Sequence, residues 1–324
     1  MPFPFTGVIP VDKPAGVSSR TVVDGVARTL GMKAVGHAGT LDPLAAGVVV
    51  VCVGHATKLV DFIHQLSKRY KAVFRLGCSS PSDDLETLVQ EEPAPRRPTA
   101  AELEAALPRF RGEILQRPCD YSAVHVGGQR AYRLARRGRA VALVEKQVRI
   151  DRLEVTGYEW PRLALEIECS TGTFIRAIGR DLAEALGTRA VMESLVRTAV
   201  GPFDRGDATP LDAITPTIAE AALRPAATAV PHLPRTTLDE QTAELAIRGG
   251  LIAPPAIEPS LGEQTGERHV GRSTAPPLDA VAAFAGAAAT GDAGGCVAAG
   301  DLLGILRPHP SGRWRLRPNF HGRG

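Results

Sequence analysis

Hydrophobic positions along this chain recur with two periods. Leu163-Ala-Leu-Glu-Ile-Glu-Cys169 alternates apolar and polar residues and predicts a strand. Tyr70-Lys-Ala-Val-Phe-Arg-Leu76 alternates in the same way and stops at Gly77. Val48-Val-Val-Val-Cys-Val53 is a β-branched run bounded by Gly47 and Gly54, which predicts a buried strand. Between Thr173 and Leu186 the period becomes helical. Phe174, Ile175, Ile178, Leu182 and Leu186 share a face, with Gly187 placed as a C-cap. Ala100–Leu107 predicts a helix with Thr99 as its N-cap, and Leu238–Arg248 another that ends at Gly249-Gly250. Gly300–Leu306 and Trp314–Leu316 predict two short strands. Strands and helices interleave without a regular βαβ period. The expected class is α+β, a mixed or antiparallel central sheet flanked by helices.

Length then divides the pattern. A chain of 324 residues suggests two domains at about 150 residues each. The composition turns to Ala, Thr and Pro around 209–234. We therefore expect a larger domain over residues 1–230 and a small β-rich one over 231–324. Residues 254–300 are rich in Pro, Gly and Ala with little periodicity and read as a long loop or insertion. The first residues lack a basic segment followed by an apolar one, and no apolar run approaches the ~20 residues that span a bilayer. Five scattered cysteines with no C-x-x-C argue against a disulfide framework and a cysteine zinc site, and no H-x-x-x-H pair suggests a metal. A reduced, cytoplasmic protein is expected, a monomer, with no metal, no cofactor and no membrane partner.

A net charge of +3 decides little, but its distribution is uneven. Residues 83–104 hold seven acids against two arginines, and residues 117–139 hold six arginines against one aspartate. Lys68, Arg69, Lys71 and Arg75 add a second basic segment, and residues 307–323 a third with five arginines. Such segments fit a nucleic-acid footprint, and fit solvated loops equally well.

The stretch with chemical content is Gly36-His-Ala-Gly-Thr-Leu-Asp-Pro-Leu-Ala-Ala-Gly47, which runs into the Val48 strand. Three glycines make a tight loop, and Pro43 keeps Asp42 out of the helical region. A carboxylate held there can serve as nucleophile or base; an ordinary Asp-Pro turn has the same composition. Phosphate-loop and dinucleotide fingerprints are both absent.

Gly36-His37-x-Gly39-Thr40-Leu41-Asp42-Pro43-x-Ala45-x-Gly47, followed by Gly54-x-Ala56-Thr57-Lys58, resembles the signature of the TruB family of tRNA pseudouridine synthases. Four further motifs resemble that family in its order. They are Asp12-Lys13-Pro14-x-Gly16-x-Ser18-Ser19, Lys68-Arg69-Tyr70, Ser122-Ala123 with Gly128-x-Arg130-x-Tyr132-x-x-Ala135-Arg136, and Cys169-Ser170-x-Gly172-Thr173-x-Ile175-Arg176. Together they cover roughly residues 7–200. The resemblance implies a pseudouridine synthase fold with a PUA-like C-terminal RNA-binding domain, and a thumb at about 117–147 that grips RNA. It implies conversion of uridine-55 in the tRNA T-arm to pseudouridine, without metal or cofactor. By the same resemblance Asp42 is the catalytic aspartate, as nucleophile at the sugar or as base. Tyr70 and Arg176 complete the catalytic set: Tyr70 stacks on the extruded base and helps proton transfer at C5, and Arg176 pairs with Asp42. His37 fills the place the base leaves. Leu195 walls the uracil pocket, and Thr40, Phe174, Lys13, Arg130 and Tyr132 complete the RNA- and uridine-binding set. A tRNA-folding chaperone role, or another RNA target, is the alternative within this reading.

Three positions depart from the family pattern. Phe174 stands where Tyr is usual, His125 where Lys is usual, and Thr87 where Gly is usual in an eroded Ser80-Pro-Ser-Asp-Asp84 stretch.

Overall fold

The computed structural model of the chain describes residues 5–122, 124–126, 129–136, 143–260, 280–286, 289–290, 296–297 and 300–320. Its main sheet is built, in chain order, from β1 (Gly7–Lys13), β2 (Val35–Ala38), β3 (Ala46–Val53), β4 (Lys68–Leu76), β5 (Gly112–Gln116), β6 (Lys146–Glu159), β7 (Arg162–Cys169), β8 (Ala190–Val200) and β9 (Thr209–Pro210). Across the sheet the order is β9-β1-β3-β8-β4-β7-β6-β5, with β2 paired to β3 and the short Phe203–Asp204 strand to β8. Most pairs are antiparallel; β3–β8 and β1–β9 are parallel. The expected mixed sheet is therefore present. Its helices include α1 (Ser19–Leu30), α2 (Val60–Gln65), α3 (Ala100–Ala106), α4 (Ala131–Ala135) and α5 (Ile175–Ala185), and the short helix Pro216–Ala221 packs on α1.

β3 shows why the valine run has no polar positions. Val49, Val51 and Val53 point into a core that also holds Val22 and Val26 of α1 and Ile178 and Leu182 of α5. Val48, Val50 and Cys52 point the other way, into a second core with Leu59, Phe62 and Ile63. A strand covered on both faces needs apolar residues at every position. The alternating strand β7 sends Leu163, Leu165, Ile167 and Cys169 inward and keeps its glutamates more exposed.

The second core continues into the C-terminal region through Ala282, Phe284, Leu302, Ile305 and Phe320. There a four-stranded sheet runs β10 (Arg235–Leu238), β11 (Val281–Ala285), β12 (Leu302–Pro308) and β13 (Trp314–Asn319), in that spatial order. This corrects the reading of residues 254–300 as a loop throughout. Val281–Ala285 is a buried inner strand, parallel to β10 and antiparallel to β12. Its alanines are small enough to lie between two neighbours, and they give no alternation to read. Residues 261–279, 287–288, 291–295 and 298–299 lie outside the described residues. The predicted helix at Leu238–Arg248 is α6 (Glu240–Ile247), shortened because Leu238 ends β10 and Asp239 caps the helix by accepting from the Thr242 N–H.

Helix α5 lies directly on β4, and the contact is set by a glycine. A Cβ at Gly179 would strike the edge of the Phe74 ring. The helix begins at Ile175 rather than Thr173, and its first turn is capped from outside. Gln116 of β5 accepts from the Phe174 N–H at 2.8 Å and donates to the Phe174 carbonyl at 3.1 Å.

Gly179→Ala therefore tests this contact. Overpacking costs about 1–3 kcal/mol, against a helix-propensity gain of at most ~1 kcal/mol. We expect a lower melting temperature, partly restored by adding Phe74→Leu. An unchanged melting temperature for Gly179→Ala would show that α5 is not pinned there.

Candidate active site

Asp42 lies in the loop between β2 and β3, and each side of it is fastened. On one side the buried Ser19 hydroxyl accepts from the Leu41 N–H at 2.8 Å and donates to the Leu41 carbonyl at 3.0 Å. On the other side the Pro43 carbonyl accepts from the Gly16 N–H at 2.7 Å and the Lys13 ammonium at 3.3 Å. The Asp42 carbonyl itself accepts from the Ala45 N–H. Gly39 and Gly47 supply positive φ values of 93° and 108°, and β8 passes so close to Gly47 that a side chain there would strike the Arg197 backbone. The Asp42 side chain remains 43% exposed. A rigid loop thus presents one open carboxylate.

Arg176, the second residue of α5, meets that carboxylate at 3.2 Å. Although it stands on a helix beside the apolar face of Ile175 and Ile178, Arg176 is buried at 7% exposure. Its guanidinium has four partners. Besides Asp42 they are the buried Asp84 at 3.0 Å, the Ser82 carbonyl at 2.8 Å and the Tyr121 carbonyl at 3.0 Å. Asp84 is fixed in turn by the Ser82 hydroxyl and the Glu86 N–H. Thr87, the departure from the family pattern, bonds the Ser82 hydroxyl at 2.8 Å and accepts from the Ser82 N–H at 3.1 Å. One turn along the helix Arg180 pairs with Asp83 at 3.0 Å, which drives the Arg180 guanidinium further into its charged range against the opposing effect of burial.

Other expected residues gather around this pair in different ways. Tyr70 in β4 is almost buried and shares an apolar cluster with Leu41, Ala45 and Leu195. Burial raises its hydroxyl pKa, with Arg197 acting in the opposite sense. His37 sits half-buried on β2, and its Nδ1 makes no hydrogen bond among the described residues. Burial first, then the charges of Arg197, His64 and Arg20, lower its pKa. Thr40 is exposed and Phe174 half-exposed. Lys13 is placed differently from the expected RNA contact. Its side chain is buried and donates to the carbonyls of Pro14, Val17 and Pro43. Its work is internal, holding the Asp42 loop. Tyr132 reaches the cluster indirectly: its N–H donates to the Ser122 carbonyl, next to the Tyr121 carbonyl that holds Arg176, and the Arg136 guanidinium lies 4.7 Å from its ring centroid. The side chains of Arg130 and His125 lie outside the described residues.

The charge segments also change meaning. The basic run at 68–75 is not a free patch. Lys68 is buried, Arg69 pairs with Asp204, Lys71 with Glu166 and Arg75 with Glu91. The acidic stretch is likewise consumed, through Asp83–Arg180, Asp84–Arg176, Glu86–Arg136, Glu92–Arg189 and Glu102–Arg96. Sequence reasoning gave no role to Ser19 or Asp84, though it quoted both in motifs, and missed Gln116 and Arg197. β8 also holds Glu193, Ser194 and Thr198, so nothing local in the sequence singled out Arg197. Among the described residues no group of three His, Cys, Asp or Glu side chains could hold a metal.

Removing Asp84 should cost far more than removing a surface partner. Asp84→Ala leaves a buried guanidinium with one carboxylate fewer, a loss of about 3–5 kcal/mol. Asp204→Ala, at the exposed Arg69 pair, should cost no more than ~1 kcal/mol. Denaturant unfolding of both variants checks this, and equal losses would contradict the central place of Asp84.

Residues 27–175 match the family model described as TruB family pseudouridylate synthase (N terminal domain). A tRNA pseudouridine synthase B of Mycobacterium bovis is 43% identical over 210 residues, which cover 64% of this chain and 70% of that protein. One from Gluconacetobacter diazotrophicus is 38% identical over 273 residues, 80% of this chain and 89% of that protein. In fold, a chain of a crystallised Cbf5–Nop10–Gar1 complex superposes with a TM-score of 0.69 over 98% of this chain and 85% of that one, at 23% identity. With an Asp42–Arg176 pair built by the motifs that first suggested it, and relatives matched over most of their length, this chain belongs to the TruB family of pseudouridylate synthases.

Proposed function

We propose that this isomerase converts uridine-55 in the T-arm of tRNA to pseudouridine, with Asp42 as its catalytic aspartate. The observation that carries the reading is the open Asp42 carboxylate set 3.2 Å from a buried, fully engaged Arg176. The relatives named above are tRNA pseudouridine synthases, which supports the substrate class. The reaction breaks the C1′–N1 bond, the electron pair staying with N1 of the ring. The ring turns, C5 bonds to C1′, C5 gives up its proton and N1 takes one. Atoms balance within the substrate, so neither redox cofactor nor co-substrate is required. Both routes for Asp42, attack on C1′ or removal of a sugar proton, use an ionised carboxylate beside the sugar.

A uridine in a stacked loop must leave the stack first, at a cost of a few kcal/mol. In this reading Tyr70, Leu195 and Leu41 form the apolar wall that receives the base, and His37 stands at the rim to occupy its former place. The half-exposed Phe174 ring adds stacking area without a hydroxyl. Residues 117–147 serve as the grip, tied to the catalytic cluster by Tyr121–Arg176 and Arg136–Glu86. The C-terminal sheet supplies a second contact of the PUA kind. Arg307 and Arg315 lie directly opposite in the β12–β13 ladder, an arrangement of like charges that is unfavourable unless an anion joins them. The exposed Arg313 and Arg317 extend that face. Catalysis by a monomer in the cytoplasm completes the proposal.

Asp42→Asn should fold, bind a T-arm stem-loop with unchanged affinity and form no pseudouridine; turnover near the normal rate would remove Asp42 from the mechanism. If the variant still promoted tRNA folding, a chaperone role would stand beside catalysis. The pH profile gives a second test. Burial pushes the Lys13 ammonium down to about 8, with Asp42 opposing that shift. Below that pH the ammonium has three protons for its three carbonyls. Above it, the amine has two and the charge beside Asp42 is gone. We expect the rate to fall as pH rises through about 8, and the fall to vanish in a slower Lys13→Met enzyme. A limb that survives in Lys13→Met would belong to another group, such as Lys68, which burial also lowers to about 8.

A further inference from the structure

The proposed chemistry leaves the most deeply buried arginine without a task. Arg197 of β8 is 2% exposed. Its Nε donates to the Val48 carbonyl at 2.7 Å, and its two terminal nitrogens to the Gly39 carbonyl at 3.1 Å and the Thr40 carbonyl at 3.4 Å. All three acceptors flank the Asp42 loop. In the sheet Arg197 lies opposite Tyr70 of β4 on one side and Gly47 of β3 on the other. It is the point at which the strand bearing Tyr70 and the loop bearing Asp42 are joined.

The electrostatics set it apart from Arg176. The Arg176 charge is matched by Asp84 and Asp42. No carboxylate among the described residues lies within ion-pairing distance of Arg197. Carbonyl dipoles engage each of its three nitrogens but leave a net positive charge that the Tyr70 hydroxyl feels. An unmatched buried charge is costly, and it is most useful where negative charge develops during a reaction. Neighbouring groups register that field: Lys13, His37, His64 and Lys68 are all pushed toward their neutral forms in part by Arg197.

We propose that Arg197 is a positioning residue with an electrostatic effect on the reaction. It holds the Asp42 loop in register with Tyr70, and its unmatched charge stabilises the pyrimidine ring while that ring carries the electron pair of the broken C1′–N1 bond. The inference rests on the synthase reading. The negative charge exists only between cleavage of C1′–N1 and formation of C1′–C5. It is quenched when C5 bonds to C1′, and the later loss of the C5 proton is matched by protonation of N1. The effect therefore falls on the chemical step and not on binding of the RNA.

The test compares Arg197→Gln and Arg197→Lys with the unaltered enzyme on a T-arm stem-loop. Three quantities are measured: single-turnover rate at saturating RNA, Kd, and the His37 titration by NMR. A donor that touches developing charge is worth ~10²–10³ in rate; acting through Tyr70 and the loop, Arg197 should be worth about 10- to 100-fold. Arg197→Gln should lose that factor, keep Kd within about twofold, and let the His37 pKa rise toward its ordinary value. Arg197→Lys keeps the charge, so it should keep His37 lowered and recover part of the rate. If Arg197→Gln does not fold, Arg197→Lys carries the test alone: a lowered His37 pKa with a rate within about tenfold of normal supports the proposal. A normal rate in Arg197→Gln overturns the proposal. So does a Lys variant as slow as Gln with His37 still lowered, which would make the role mechanical only. A weakened Kd with an unchanged rate also overturns it, because the charge would then serve a phosphate in the bound ground state. Lack of product from the unaltered enzyme would strike the synthase assignment itself, which separates that failure from failure of the Arg197 role.

Discussion

Arg176 is a guanidinium held from behind by Asp84 and two carbonyls, so that its remaining edge meets Asp42. Desolvating an arginine this far is unfavourable unless most of its donors are met. Asp84, the Ser82 carbonyl and the Tyr121 carbonyl meet them. The rest of the site serves that arrangement. Helix α5 must start where it does for Arg176 to emerge, which Gln116 secures by bonding Phe174 at both backbone groups. The helix must lie close to β4, which requires Gly179 against Phe74. Asp42 must not drift, which Ser19 and Lys13 prevent from either side.

The sheet makes this precision affordable in so mixed a topology. β3 is covered on both faces, by α1 and α5 on one side and by α2 and the C-terminal sheet on the other. The Asp42 loop is the lead-in to that doubly buried strand, so it is attached to one of the least deformable parts of the molecule. The same second core joins the C-terminal sheet to the catalytic sheet, and the proposed RNA contacts on Arg307 and Arg315 therefore stand on a surface continuous with the site's foundation.

Much of this was legible in the sequence, and the remainder was hidden for identifiable reasons. Alternation marked β4 and β7, the valine run marked β3, and helical spacing marked α5, because burial on one face or two leaves a local pattern. The Asp42 loop announced itself by three glycines and Asp-Pro. The supporting bonds left no such trace. Ser19 is 22 residues from Leu41, and Arg197 is 149 residues from Val48; partners so distant share no window of sequence. Charge runs could not decide alone for the same reason, because Glu86 and Arg136 neutralise each other across 50 residues. Val281–Ala285 was lost because alanine packs in an inner strand without contrast to its Ala- and Gly-rich surroundings.

The account holds that Arg176 works by the direction of its donors as well as by its charge. Arg176→Lys separates the two, because an ammonium cannot face Asp84, Ser82, Tyr121 and Asp42 together. The decisive measurement is the single-turnover rate of pseudouridine formation by Arg176→Lys at saturating T-arm stem-loop, with folding checked by thermal unfolding. The account predicts a folded protein that binds the RNA and is slowed by at least about 100-fold, the scale of a misplaced catalytic group. A folded Arg176→Lys enzyme within a fewfold of the normal rate would contradict it.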